Sequence, residues 1–131
     1  MDYLQLLDKI RQRMPDLLAL YAFGSRLKGT ADEQSDLDLA ILREKPTEVY
    51  ELWSFSSELA ELAGCAVDLI DLGAASTVLQ YQVITTGRCL WSKDERAGLY
   101  ESFILSEKTA LDTARAGLLE DIRNAGSIHG R

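Results

Sequence analysis

Basic residues are the first shortage: 14 Lys and Arg stand against 21 Asp and Glu, a formal net charge of −7. Binding nucleic acid by neutralising many phosphates needs clustered Lys and Arg, so direct nucleic-acid binding is not expected. A basic partner protein suits the charge better, although an acidic balance also serves solubility. Histidine is rarer still. The single one, His129, sits near the end of the chain, which leaves Ser25 without the base that a hydrolase triad requires. Two cysteines, Cys65 and Cys89, lie far apart in no Cys-x-x-Cys or Cys/His pattern. Neither zinc nor a disulfide framework is expected from them, and both read as buried free thiols. No apolar run is long enough to cross a bilayer. The start, Met1-Asp2-Tyr3-Leu4, has no basic stretch leading into an apolar segment, so a soluble, cytoplasmic protein is expected.

What the sequence does have is alternating periodicity, without internal repeats or linkers. Tyr3, Leu6, Leu7, Ile10 and Met14 recur at helical spacing between a capping Asp2 and a terminating Pro15. Leu17 to Phe23 is a continuous apolar run, a buried strand that ends at Gly24-Ser25, and a short helical segment is expected after Ser25. From Asp36 to Leu42 the chain alternates, with Leu37, Leu39 and Ile41 on one side and Asp36 and Asp38 on the other. Pro46-Thr47 opens a helix with apolar positions Val49, Leu52, Trp53, Leu59 and Leu62, closed by Gly64. Cys65 to Leu72 reads as a buried strand. Val78, Leu79, Gln82, Val83 and Thr86 then form a helix closed by Gly87, and Arg88 to Trp91 a short strand. Ser92 and Glu95 have capping-box spacing ahead of a long helix through Tyr100, Ile104, Leu111, Leu118 and Ile122, with a break expected near Ser106. These elements predict one α/β domain over residues 1–131: a core of about 1–92, a helical segment of about 93–123 and a frayed tail at 124–131, with a small mixed sheet flanked by helices.

The chemistry concentrates in the stretch from Gly24 to Asp38. Gly24 allows the backbone to approach a phosphate, and a helix starting near Ser25 would point free N–H groups at it while Ser25 adds its hydroxyl. Arg26 and Lys28 can neutralise a triphosphate, though exposed basic residues beside a turn are also common. Asp36 and Asp38, two apart on a strand, point the same way with Cα atoms about 6.5 Å apart, so they can share hard cations, magnesium above all. A third carboxylate is needed to complete such a site. Asp68 and Asp71 both lie on the later strand but face opposite ways, so at most one belongs. Trp53 and Trp91 read as core or interface packing rather than base-stacking platforms.

Gly24-Ser25, ten residues, then Asp36-x-Asp38 resembles the signature of the minimal nucleotidyltransferases of the DNA polymerase beta superfamily. The similarity covers most of the chain, including Val67-Asp68-Leu69-Ile70 and Thr86-Gly87-Arg88. It implies the polymerase beta-like fold with a long C-terminal helix, Asp36, Asp38 and Asp68 as a catalytic and metal-binding triad, and Gly24, Ser25 and Arg26 as nucleotide-binding residues. Mg2+, as a pair of ions, and ATP as co-substrate are implied with them. Many members are antitoxins of HEPN/MNT pairs that adenylylate a tyrosine on an RNase toxin, and this chain looks like one. It lacks room for the second domain with which larger relatives, such as aminoglycoside nucleotidyltransferases, hold small substrates, so a HEPN-type toxin is the expected partner, with the exposed side of the last helix as a docking surface. An antitoxin acting by binding alone, or a transferase acting on a small molecule or RNA end, are the alternative expectations.

Overall fold

The computed structural model describes residues 3–24 and 36–129, with side chains described as far as residue 120. Helix α1, Tyr3–Arg13, turns Leu6, Leu7 and Ile10 inward, the spacing of one helical stripe. Its expected cap, Asp2, lies outside the described residues. Met14, fully buried, closes the helix by donating its N–H to the Ile10 carbonyl at 2.8 Å.

Strand β1, Leu17–Phe23, pairs antiparallel with β2, Leu37–Arg43. Helix α2, Val49–Ala63, then leads into β3, Val67–Asp71, which lies parallel to β2. Helix α3, Thr77–Thr86, precedes β4, Arg88–Ser92, antiparallel to β1 on its other side. The sheet order is β3-β2-β1-β4, a mixed sheet as the alternation of elements predicts. Helix α4, Arg96–His129, completes the described chain.

The period of two along the strands sorts the core into two layers. Leu20, Ala22, Leu37, Leu39, Ile41, Val67 and Leu69 pack with Leu6, Ile10, Phe55 and Leu59 from α1 and α2. On the other face Ala19, Tyr21, Ala40 and Leu42 meet Val83 of α3 and Ala97 of α4. Leu39, Ile41, Phe55 and Leu59 have no exposed surface, and each such burial contributes about 1.5–3 kcal/mol. Polar ties join the same layers: the Tyr21 hydroxyl donates to Glu101 Oε2 at 2.8 Å, and that of Tyr100 to the Leu72 carbonyl at 3.3 Å.

Several local expectations need correction. Helix α2 begins at Val49 rather than at Pro46-Thr47. Its buried residues are Phe55 and Leu59, while Val49, Trp53 and Leu62 are exposed. Apolar residues occupy more than one side of this helix, and the side that meets β2 and β3 is chosen by packing. Cys65 is only partly buried and Cys89 is exposed, because β4 is an edge strand with little covering it. Ser92 ends β4, four residues ahead of α4; nearer the helix, the Asp94 carboxylate accepts from the Arg96 N–H at 2.9 Å. Helix α4 runs unbroken through Ser106 and past residue 124, where a break and a frayed end are expected. No proline interrupts it, and serine is a poor but tolerated helix residue. Beyond Ile104 none of its residues described as far as residue 120 is buried, so that stretch adds nothing to the core.

Candidate active site

β1 ends at Phe23, opposite Asp38 in the antiparallel register. The chain then turns at Gly24, whose φ of 87° lies in the left-handed region that residues with a side chain rarely adopt. A Cβ there would overlap Asp38 Oδ2 and come within 3.0 Å of its Cγ. Glycine is thus required twice, for the turn and for the carboxylate behind it.

Across the parallel pair β2–β3, Asp38 stands beside Asp68, a lateral step of about 4.8 Å. Asp36, just ahead of β2, shares its face by the alternation of the strand. Asp38 is half-buried, whereas Asp36 and Asp68 are exposed. Burial raises the Asp38 pKa, and the negative charges of Asp68 and then Asp36 raise it further. Among the described residues no ion pair relieves any of the three. Nor do three described Asp, Glu, His or Cys side chains close into a formed metal cage. The donor set is nonetheless what a hard divalent cation takes: oxygen only, converging from a strand start and its neighbour, and electrostatically uncompensated. Ser25 and Arg26, expected to bind nucleotide, and Lys28 lie outside the described residues.

Asp71 plays a different part. It is 8% exposed, and its carboxylate accepts from the Thr47 N–H at 3.0 Å and the Gly73 N–H at 3.1 Å. It holds the entry to α2 and caps the 3-10 turn Leu72–Ala74. Register and hydrogen bonding together put Asp68, not Asp71, beside Asp36 and Asp38. Gly87, read from the sequence as the close of a helix, has a second role. A Cβ there would overlap the Val83 carbonyl oxygen and lie 2.8 Å from that of Ala22. Glycine therefore lets the α3–β4 corner press against the end of β1 that leads to Gly24. A concavity of about 450 Å³ between Asp8, Arg11, Met14, Leu17, Trp91 and Lys93, at the far end of β1, and one of about 570 Å³ between Gln5, Lys9, Gln12, Arg13 and Glu58 contain none of the three aspartates.

A glycine turn at the end of one strand thus faces acidic residues at the start of the next and on its parallel neighbour. The chain belongs to the Polymerase beta, Nucleotidyltransferase family, whose model matches residues 5–96. It is similar to the protein adenylyltransferase MntA of Shewanella oneidensis, with 34% identity over 113 residues, covering 86% of this chain and 81% of that protein. Among solved structures it is similar to a toxin–antitoxin crystallised with AMP-PNP, at a TM-score of 0.84 and 31% identity, covering 93% of this chain and 98% of the other. A tri-AMPylated Shewanella oneidensis HEPN toxin in complex with MNT antitoxin matches at a TM-score of 0.75 and 30% identity, covering 90% and 92% of the two chains.

Proposed function

We propose that this chain is an antitoxin that transfers AMP from ATP to a tyrosine hydroxyl of a HEPN RNase toxin and so neutralises it, in the cytoplasm where ATP is at hand. The observation that carries the reading is the register of Asp38 with Asp68, which, with Asp36, gathers three carboxylates behind the Gly24 turn. The similarity to a protein adenylyltransferase, and to an AMPylated toxin held by its antitoxin, supports a protein acceptor.

In this reading Gly24, having no side chain, lets the triphosphate approach the end of β1, and Ser25 and Arg26 bind its phosphates. Asp36, Asp38 and Asp68 would hold Mg2+, as a pair of ions, which when bound supplies positive charge to the triphosphate and to the departing diphosphate. Asp68, exposed at the rim, takes the proton of the incoming hydroxyl as general base. The hydroxyl oxygen bonds to the α-phosphorus, the bond from that phosphorus to the bridging oxygen breaks, and diphosphate leaves. Incubating the chain and its HEPN partner with ATP labelled in either the α- or the γ-phosphate tests this. Label on the partner from the α position alone is expected. Label from the γ position would mean phosphorylation, and a stable complex without label would mean an antitoxin that acts by binding.

A further inference from the structure

Helix α4 outruns the domain it belongs to. Its first turns are anchored: Ala97 and Ile104 are buried, the Tyr100 hydroxyl donates to the Leu72 carbonyl, and Glu101 accepts from Tyr21. From Leu105 to Glu120, about 24 Å of helix, no residue is buried. The apolar stripe nevertheless continues. Ala97, Ile104, Leu111 and Leu118 recur every seven residues, which keeps them on one face with a drift of about 20° at each step. Leu111 is half-buried and Leu118 is 59% exposed. A surface helix turns its apolar stripe toward what it packs on, and here the stripe persists where the domain no longer covers it. Gly117 is a second, independent sign. Glycine is the poorest helix former after proline, yet a Cβ at this position would meet nothing within 4 Å, so no contact in the chain calls for it. With Ala110 and Ala114 it forms a low strip beside the two leucines, where another backbone can come close.

We propose that this outer stretch of α4 is the docking helix for the HEPN partner: an apolar groove of the partner receives Leu111 and Leu118, and its backbone closes on Gly117. The inference rests on the reading of the chain as the antitoxin of a HEPN toxin. Charge and pattern select the occupant. Glu107, Asp112 and Glu120 stand against Lys108 and Arg115 in this stretch, and Lys108 pairs with Asp112 at 2.7 Å. On a chain of net charge −7 the stretch is nearly neutral, so recognition here is apolar and a partner of either charge is admitted. A second copy of the chain does not fit. Helices that pair with themselves need a further apolar residue three or four positions after each member of the stripe, sustained over several repeats. Here Glu107 and Lys108 follow Ile104, and Ala114 and Arg115 follow Leu111. The partner must therefore supply most of the apolar surface, as a preformed groove does for an amphipathic helix.

Calorimetric titration of the full chain with the purified HEPN partner, without ATP, tests this. Leu118→Asp is expected to weaken binding about tenfold or more, while the free chain keeps its melting temperature because Leu118 is exposed. Gly117→Leu is the sharper variant. It places a better helix former on an open surface, so the free chain keeps or gains helix, yet the added side chain blocks close approach and binding is again expected to fall about tenfold or more. Wild-type affinity in both variants would overturn the docking helix. Hydrogen exchange gives an independent arm: the amides of residues 105–120 are expected to exchange faster than those of 96–104 in the free chain and to slow on binding the partner. Exchange unchanged by the partner would also overturn it, as would a wild-type dimer in sedimentation that Leu118→Asp dissociates, since the stripe would then belong to a second copy. A wild type that binds through this helix but transfers no AMP leaves the docking helix standing and defeats the transferase reading; one that does not bind the partner defeats both.

Discussion

Asp38 and Asp68 are register neighbours on parallel strands, and the half-buried one of the pair has its pKa raised, by burial first and then by the charges of Asp68 and Asp36. The sign of the consequence follows from linkage. A carboxylate whose pKa is higher in the folded chain favours folding below its unfolded value and loses that advantage as pH rises through the folded value. At neutral pH, ionised Asp38 therefore works against the metal-free fold.

Asp38→Asn should consequently raise the melting temperature of the metal-free protein at neutral pH by on the order of a few degrees. The gain should shrink as pH falls toward the ordinary aspartate value of 3.8, where Asp38 itself becomes neutral. The same variant should lose AMP transfer, the trade between stability and function expected where a site concentrates like charge. Thermal melts in chelator across pH, alongside an AMP-transfer assay, check both halves. A variant less stable than wild type at neutral pH would remove the electrostatic argument.

Gly24 and Gly64 offer a matched pair. Both have left-handed φ, 87° and 75°, but a Cβ at Gly24 meets Asp38 whereas at Gly64 nothing lies within 4 Å. Each change to alanine should cost about 1 kcal/mol through the backbone. Only Gly24→Ala must also displace the Asp38 carboxylate, and it should lower kcat about 100-fold or more, since an ångström's misplacement costs that much. Denaturant melts and initial rates on the two variants separate backbone from site effects.

At the opposite end of the strands, Arg43 holds Asp16 at 2.9 Å with both side chains about one-tenth exposed, and also donates to the Thr47 hydroxyl at 2.8 Å. Burial would raise the Asp16 pKa, but hydrogen bonds from Arg43 and the Lys45 N–H, with the guanidinium charge, bring it below the usual aspartate value. Its stabilisation is thus present above 3.8 and lost as pH falls through the lower folded value. Asp16→Ala should destabilise by about 3 kcal/mol by leaving a buried guanidinium unpaired, while Asp16→Ala with Arg43→Met recovers much of that. Denaturant unfolding of the single and double variants measures this. AMP transfer at saturating substrate should be unchanged.

Much of this architecture is legible in local pattern. The stripe of α1, the apolar run of β1 and the alternation of β2 each specify an element and the face it buries, and the Gly24 and Asp36-x-Asp38 spacing points to the site before any fold is known. Partners across the sheet are another matter. Alternation alone says that Asp68 and Asp71 face opposite ways, not which of them meets Asp38. The answer lies in the register of β2 with β3 and in the two backbone N–H groups that occupy Asp71. Between core and interface, the two readings open for Trp53, the core is excluded for a related reason: α2 has apolar residues on two sides, and Phe55 and Leu59 win the core while Trp53 stays exposed. Gly87 is legible as the close of α3, but its φ is ordinary, and its need for glycine comes from the approach of the Ala22 and Val83 carbonyls, which no local pattern shows.

The most direct test of the central claim is the intact mass of the HEPN partner co-expressed with this chain, either wild type or carrying Asp36→Ala and Asp38→Ala together. The account predicts AMP-sized mass increments on the partner with wild type and none with the double variant. Increments that persist without both aspartates, or an unmodified partner held in a stable wild-type complex, would contradict it.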